Sequence, residues 1–375
     1  MLWSVAVVLT PIAAAQGVPG PMGTQERYRV AAQRLENPPD RFEFARIARD
    51  VDALLAEQPD WPAARVLHLR ALVRAGDRPA ARLELQRITA LRAALSAEEK
   101  LRVDIAAANL AGAPTREIEA MERLAQRRPV DRWLRYDIAR AHGELEDYPA
   151  VVRSARRALE MSSPGANWEG SWIHYLHSKA LFRAGDPRAA IAAAERGRPE
   201  KTTWRSTLYR MALGQFAAAD VAGGQRSLDE YIRYAREEGR TTEALIQLNV
   251  GVFYHELGDL PAAEKYLRDG LALDPSSTYG LWALGYVLIE KPGAVAEGTA
   301  LIDRGLSAAP AGRNLLEAKG WALYRAGQPR DALAALGRAR QAGDGWDQRL
   351  ENHLAEVTVA LADPRRPPAP RTPWL

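Results

Sequence analysis

Few residues of this 375-residue chain have the type and spacing to do chemistry. His174 and His177 stand three apart, so on a helix they share one face and could meet a single metal ion. No acid or further histidine at helical spacing completes a ligand set, and the pair is expected on a helix surface. His255 and Glu256 match the first two residues of a zinc-protease helix motif, but the place of its second histidine is taken by Asp259, beside a turn. Asp229-Glu230 and Glu237-Glu238 read as solvated helix faces rather than a general acid and base. The sequence has no G-x-S-x-G elbow, no Walker loop and no glycine fingerprint between a strand and a helix. It also has no cysteine, which excludes disulfides, thiolate metal sites, iron–sulfur clusters, cysteine nucleophiles and a lipid-modified cysteine. The expectation is a non-catalytic protein with no cofactor and no metal. What remains for function is its tryptophan, tyrosine and arginine, the residue types most enriched in binding hot spots.

Those side chains must be positioned by helices. Apolar residues make up 47% of the chain and charged residues 26%, enough for a core, and the abundance of alanine and arginine points to an all-α protein. The length allows two or three domains or one array of small repeats. The net charge is +4 and the pI about 9.3, with basic and acidic residues interleaved, unlike a nucleic-acid footprint. Four segments repeat one another: ALVRAGDRPAARLELQRI around Gly76, ALFRAGDPRAAIAAAERG around Gly185, VFYHELGDLPAAEKYLRDGLALDP around Gly258 and ALYRAGQPRDALAALGRA around Gly327. Each reads as a helix, a tight turn and a second alanine-rich helix. Weaker copies turn at Phe42, Gly112, Glu146, Ala219 and Pro292, so successive turns are 34 to 39 residues apart.

A period of about 34 residues with two helices per unit resembles the tetratricopeptide-repeat family, over residues 27–345. In the unit turning at Gly258, the family's small and large first-helix residues match Gly251 and Tyr254, its second-helix small residue Ala263 and its closing proline Pro275. Elsewhere Ala139, Ser178, Ala212, Gly285 and Gly320 fill the first small site, and Ala81, Ala190, Gly224 and Ala332 the second. Leu69, Ile105 and Glu117 depart from the pattern. Pro59, Pro129 and Pro310 also end second helices. Two intervals are 39 residues, five longer than most: SSPGANWEG reads as a longer loop, and YIRYAREEGRTTEAL as a second helix lengthened by about a turn. One residue is read as inserted between Pro292 and Gly298.

The resemblance implies a right-handed α-solenoid of about nine helix pairs, closed by a capping helix. Residues 346–362 suit that cap, with Leu350, Leu354, Val357 and Leu361 at helical spacing. Residues 363–375 read as a proline-rich basic tail. Residues 1–15 are uncharged, their apolar stretch is too short to span a membrane, and Ala13 and Ala15 suit signal cleavage after Ala15. A flexible leader is expected over 16–26, and the mature protein is expected to be periplasmic or secreted, without a membrane span.

In the family, first-helix side chains line a concave face. Carried onto this sequence, that mapping selects Trp133, Tyr136 and Arg140; Trp172, Tyr175, Lys179, Phe182 and Arg183; Tyr209 and Phe216; Tyr279, Trp282 and Tyr286; and Trp321, Tyr324 and Arg325. Trp133 and Trp282 are those that a one-residue error in phase would turn into packing residues. The expected function is an exported scaffold that binds a protein or peptide partner in this groove to assemble a cell-envelope complex. The alternative is a polysaccharide-export or adsorption component that contacts a glycan polymer, any pore being a separate protein. No nucleic acid is expected as partner.

Overall fold

The computed structural model describes residues 22–36, 43–161, 168–197, 204–343 and 345–363. Among them are nineteen α-helices and no strand. They are α1 (Met22–Glu36), α2 (Glu43–Glu57), α3 (Pro62–Ala75), α4 (Arg78–Leu91), α5 (Ala97–Leu110), α6 (Pro114–Arg127), α7 (Arg132–Glu144), α8 (Tyr148–Glu160), α9 (Trp168–Arg183), α10 (Pro187–Arg196), α11 (Trp204–Ala217), α12 (Val221–Glu237), α13 (Glu243–Glu256), α14 (Leu260–Leu273), α15 (Thr278–Glu290), α16 (Val295–Ala308), α17 (Arg313–Arg325), α18 (Pro329–Ala342) and α19 (Gln348–Ala362).

The turns fall where the repeat spacing places them, because the residue there must adopt a left-handed backbone. Gly76, Gly112, Gly185, Gly258 and Gly327 all have φ between +61° and +84°. The weaker copies obey the same geometry without glycine: Glu146 has φ +56° and Ala219 φ +65°. In the unit read as turning at Pro292 the left-handed residue is Gly293, one position later. An aspartate after the turn then caps the second helix. Asp77, Asp147, Asp186, Asp220 and Asp259 each accept a hydrogen bond from the amide three residues on. Gln328 forms no such cap, so the GQ turn keeps the backbone geometry but loses this bond.

The chain divides into two compact units, residues 1–110 with 119–127, and residues 111–118 with 128–375. In the first, Ile47, Val51, Leu67, Leu69, Ile88 and Val103 share a core, and Leu69 fills its position as a large buried residue. In the second, α7 to α18 form six pairs. The helices of each pair pack together, and each second helix packs against the next first helix. Close approach within a pair requires the small residues: a Cβ on Gly251 would lie 2.5 Å from Leu267 Cγ, and one on Gly285 2.7 Å from Ile302 Cδ1. Helix α12 has 17 residues against 14 in α14, the extra turn expected there. Residues 168–170 of SSPGANWEG open α9, and 162–167 lie outside the described residues.

Helix α19 stands where the cap is expected, with Leu350 and Val357 fully buried. Helix α1 takes in residues 22–26, which were expected to belong to the leader. The segment 1–15 expected to be a signal, the expected leader to residue 21, the turn expected at Phe42 and the tail expected after Asp363 lie outside the described residues. Among those described, no helix is long and apolar enough to cross a membrane.

Candidate functional site

All sixteen residues of the expected groove lie on first helices of the second unit. On α7, Trp133 and Tyr136 are half-buried and meet edge-on at 5.8 Å. One turn on, Arg140 donates to Glu117 Oε1 at 3.0 Å and also pairs with Glu144. Burial alone would disfavour the Arg140 charge, but Asp137, Glu144 and Glu117 more than offset it and raise its pKa. Helix α9 repeats the aromatic pair: Trp172 and Tyr175 meet edge-on at 5.9 Å, both half-buried. Lys179 follows, half-buried and without a carboxylate partner among the described residues. Among the described residues, Arg183 holds the Tyr148 hydroxyl, at 3.3 Å, with its guanidinium 5.5 Å from that ring's centre.

Between α9 and α13 the groove has a polar floor. Arg210 on α11 lies with its guanidinium 5.4 Å from the Tyr175 ring and 5.1 Å from Tyr209. It donates to Glu256 Oε1 at 2.9 Å, and the Tyr209 hydroxyl donates to Glu256 Oε2 at 3.0 Å. The Arg210 side chain is 7% exposed and that of Glu256 0%. Burial opposes the Arg210 charge, yet Glu256 and the two tyrosines outweigh it and hold the pKa up. Burial, then the Glu256 carboxylate, raises the Tyr209 hydroxyl well above its usual range. This cluster is fixed and internally neutral, so it orients the Tyr175 ring from below.

The other groove residues are packing residues. Phe216 lies 5.8 Å from Phe253, and a Cβ on Gly224 would stand 2.5 Å from its ring, so it fills the seam between α11 and α12. Tyr209 itself lies between Tyr231 and Phe253, and Phe182 packs on the same cluster. Tyr279 donates to Asn249 Oδ1 at 3.3 Å, and burial, with Tyr231 nearby, pushes its pKa up to about 12.

Trp282, Tyr286, Trp321 and Tyr324 are buried, Tyr286 to 1% exposure, and are not an open surface. The reason is α19. His353 stacks on Trp321 at 3.9 Å and 9°, Arg349 lies 5.8 Å from the rings of both Trp282 and Tyr286, and the Tyr324 hydroxyl donates to Glu356 Oε1 at 2.9 Å. Buried Glu317 pairs with the Arg349 guanidinium of this helix, 3.3 Å from its Nε, and lies 2.5 Å from His353 Nδ1. Arg325 is half-exposed beyond this end. The open part of the expected groove is therefore Trp133, Tyr136, Trp172, Tyr175, Lys179 and Arg183.

Sequence reasoning missed Arg210, Glu256, Glu317, Arg349 and His353. Its discarded His255-Glu256 pair is buried: His255 Nε2 lies 2.8 Å from Glu290 Oε2, while Glu256 takes Arg210. A signal was present, a carboxylate at the inner edge of the apolar run LIQLNVGVFYHE. His174 and His177 are also not surface histidines. His174 is half-buried, His177 is 9% exposed, and the buried Nδ1 of each has no hydrogen-bond partner among the described residues. Among the described residues, no three histidines or carboxylates are placed to hold a metal ion.

No family model and no curated protein matches the sequence. Solved structures do match the fold. NprR in complex with its cognate peptide NprX is 17% identical with a TM-score of 0.56, over 92% of this chain and 94% of that one. Rap protein complexed with competence and sporulation factor is 10% identical with a TM-score of 0.52, over 92% and 99%. A tetratricopeptide repeat protein from Parabacteroides merdae is 12% identical with a TM-score of 0.43, over 70% and 98%.

Proposed function

Because this chain has the tetratricopeptide-repeat fold, we propose that it is a non-catalytic binding scaffold that holds a peptide segment of a partner protein against α7 and α9. The observation that carries this is the α9 face: an edge-on Trp172–Tyr175 pair, half-buried, followed by Lys179 and Arg183, neither of which holds a described carboxylate. Aromatic rings give contact area at little entropic cost, and the cations give orientation. Two solved structures that share the fold support the reading by likeness, one being a complex with a cognate peptide and the other with competence and sporulation factor. Peptides selected on the wild-type chain from a displayed library should lose most of their affinity for a Trp172→Ala/Tyr175→Ala variant of unchanged helicity; retained affinity refutes the site.

We place this scaffold in the cell envelope, where it would assemble other proteins, on the strength of the uncharged apolar segment 1–15 with Ala13 and Ala15. Amino-terminal sequencing of the protein from its native host should begin at Gln16 in an extracytoplasmic fraction; a chain that retains Met1 in the cytoplasm overturns that placement.

A further inference from the structure

Seven described glycines hold a left-handed backbone, and six of them face open space. A Cβ on Gly76, Gly185, Gly239, Gly258, Gly293 or Gly327 would meet nothing within 4 Å among the described residues. Gly112 is the exception. A Cβ there would stand 3.3 Å from Trp346 N, 3.4 Å from Gly345 C and 3.7 Å from Gly345 Cα, so the backbone that leads into α19 lies directly on the turn at Gly112. Residues 111–118 and 345–346 belong to the same compact unit. This strap is fastened from α17 as well: Arg313 Nη2 donates to the Gly345 carbonyl at 2.9 Å. Asp347, which caps α19 by accepting from Leu350 N at 3.1 Å, lies 4.0 Å from Arg313 Nε.

A cap has only to cover the apolar end of an array, and the fully buried Leu350 and Val357 do that. Helix α19 does more. Arg349, His353 and Glu356, at spacings of four and three, form a second stripe that lies on rings of the expected groove. The ring pair beneath Arg349 repeats those of α7 and α9. Counted back from the small residue of each first helix, the aromatics stand six and three places before it: Trp133 and Tyr136 before Ala139, Trp172 and Tyr175 before Ser178, Tyr279 and Trp282 before Gly285. On α7 and α9 both rings are half-buried, whereas Trp282 is buried, with the Arg349 guanidinium 5.8 Å from its ring.

Helix α19 therefore covers, from within the chain, the same kind of surface that α7 and α9 leave open. It is also well placed to leave. It follows the last helix pair of the array, where each unit is stabilised only by its neighbours, and elements with few neighbours open locally at the lowest cost. Its groove side is held by ion pairs and hydrogen bonds, whose net contribution is small because water replaces them on opening. We propose that α19 is an intramolecular competitor for the partner peptide, held shut by its strap on Gly112, and that the peptide reaches the α15 and α17 rings only when this clasp opens. The proposal rests on the peptide-binding reading above and adds its regulation. Apparent affinity scales with the open fraction, so a tenfold change in that fraction changes the Kd about tenfold.

The test compares, in the full chain, Gly112→Leu, whose side chain must push the strap away, with Gly258→Leu, which carries the same left-handed strain into open space. A locked form comes from Gly112→Cys/Gly345→Cys. The chain has no cysteine of its own, and 3.7 Å from the Gly112 Cβ position to Gly345 Cα is within disulfide reach. Gly112→Leu should speed hydrogen exchange in α19 at least about tenfold over Gly258→Leu. It should also tighten the Kd of a peptide selected on the wild-type chain at least about tenfold, and oxidation of the cysteine pair should weaken that Kd as much, with recovery on reduction. Equal exchange in the two leucine variants, or a Kd indifferent to both the leucine and the disulfide, overturns the clasp and leaves the α9 site standing. A Kd that follows the clasp but ignores Trp172→Ala/Tyr175→Ala overturns the α9 site and leaves the clasp. If no peptide can be selected on the wild-type chain, selection on Gly112→Leu decides: success supports the clasp, and failure overturns it together with the peptide-binding reading.

Discussion

Replacement of Glu256 by glutamine removes the carboxylate that two buried groups share. Arg210, 7% exposed, would keep its charge with no counter-ion, and the Tyr209 hydroxyl would lose a charged acceptor at 3.0 Å. Breaking one half of a buried ion pair costs about 3–5 kcal/mol, because an uncompensated charge stays in a poorly solvated place. Removing both halves is different: Arg210→Met/Glu256→Leu should cost under about 1 kcal/mol or even stabilise, since the desolvation penalty disappears with the charges. The two single losses therefore do not add: at about 3–5 kcal/mol each against under about 1 kcal/mol for the pair, their coupling should be about 5 kcal/mol or more. Urea unfolding followed by circular dichroism measures the total. Because a repeat array can open locally, hydrogen exchange of amides in α11 and α13 gives the local value. Losses under about 1 kcal/mol for Glu256→Gln would refute the placement of this pair as a buried floor.

Three further outcomes follow. Ala219 holds φ +65° without being glycine, so Ala219→Gly should stabilise the chain by roughly 0.5–1 kcal/mol in the same urea assay. Burial, then the charges of His174, Arg156 and Arg196, lowers the His177 pKa to about 4. The unfolded chain then binds more protons between pH 6.5 and 4, so the stability contributed by neutral His177, up to about 3 kcal/mol, is full above pH 6.5 and lost as pH falls to 4. Thermal melts of His177→Leu against the parent should show that slope flattened. Arg349→Ala with His353→Ala should loosen α19 and expose Trp282 and Trp321, read as a red shift in tryptophan emission with the remaining helices intact.

The fold was legible because its rules are local. Left-handed turn residues, aspartate caps and small residues at the helix crossings recur at fixed spacing, and even Glu146 and Ala219 take the geometry that their positions require. The open groove was legible only in part. Trp172 and Tyr175 could be placed from the phase of one helix, but Trp321 is covered by His353, 32 residues downstream, and Tyr286 by Arg349, 63 residues downstream. Helical spacing gives a residue's face, not what arrives on it. The buried acids were missed for the same reason: Glu256 reads as a surface residue until Arg210, 46 residues earlier, is set beside it.

The central claim is that the α9 face binds a peptide. Calorimetric titration of a peptide selected on the wild-type chain into the Trp172→Ala/Tyr175→Ala variant tests it most directly. Loss of two aromatic anchors predicts a drop of about 2 kcal/mol or more, roughly thirtyfold in Kd, with helicity preserved. An unchanged Kd in a folded variant would contradict the claim.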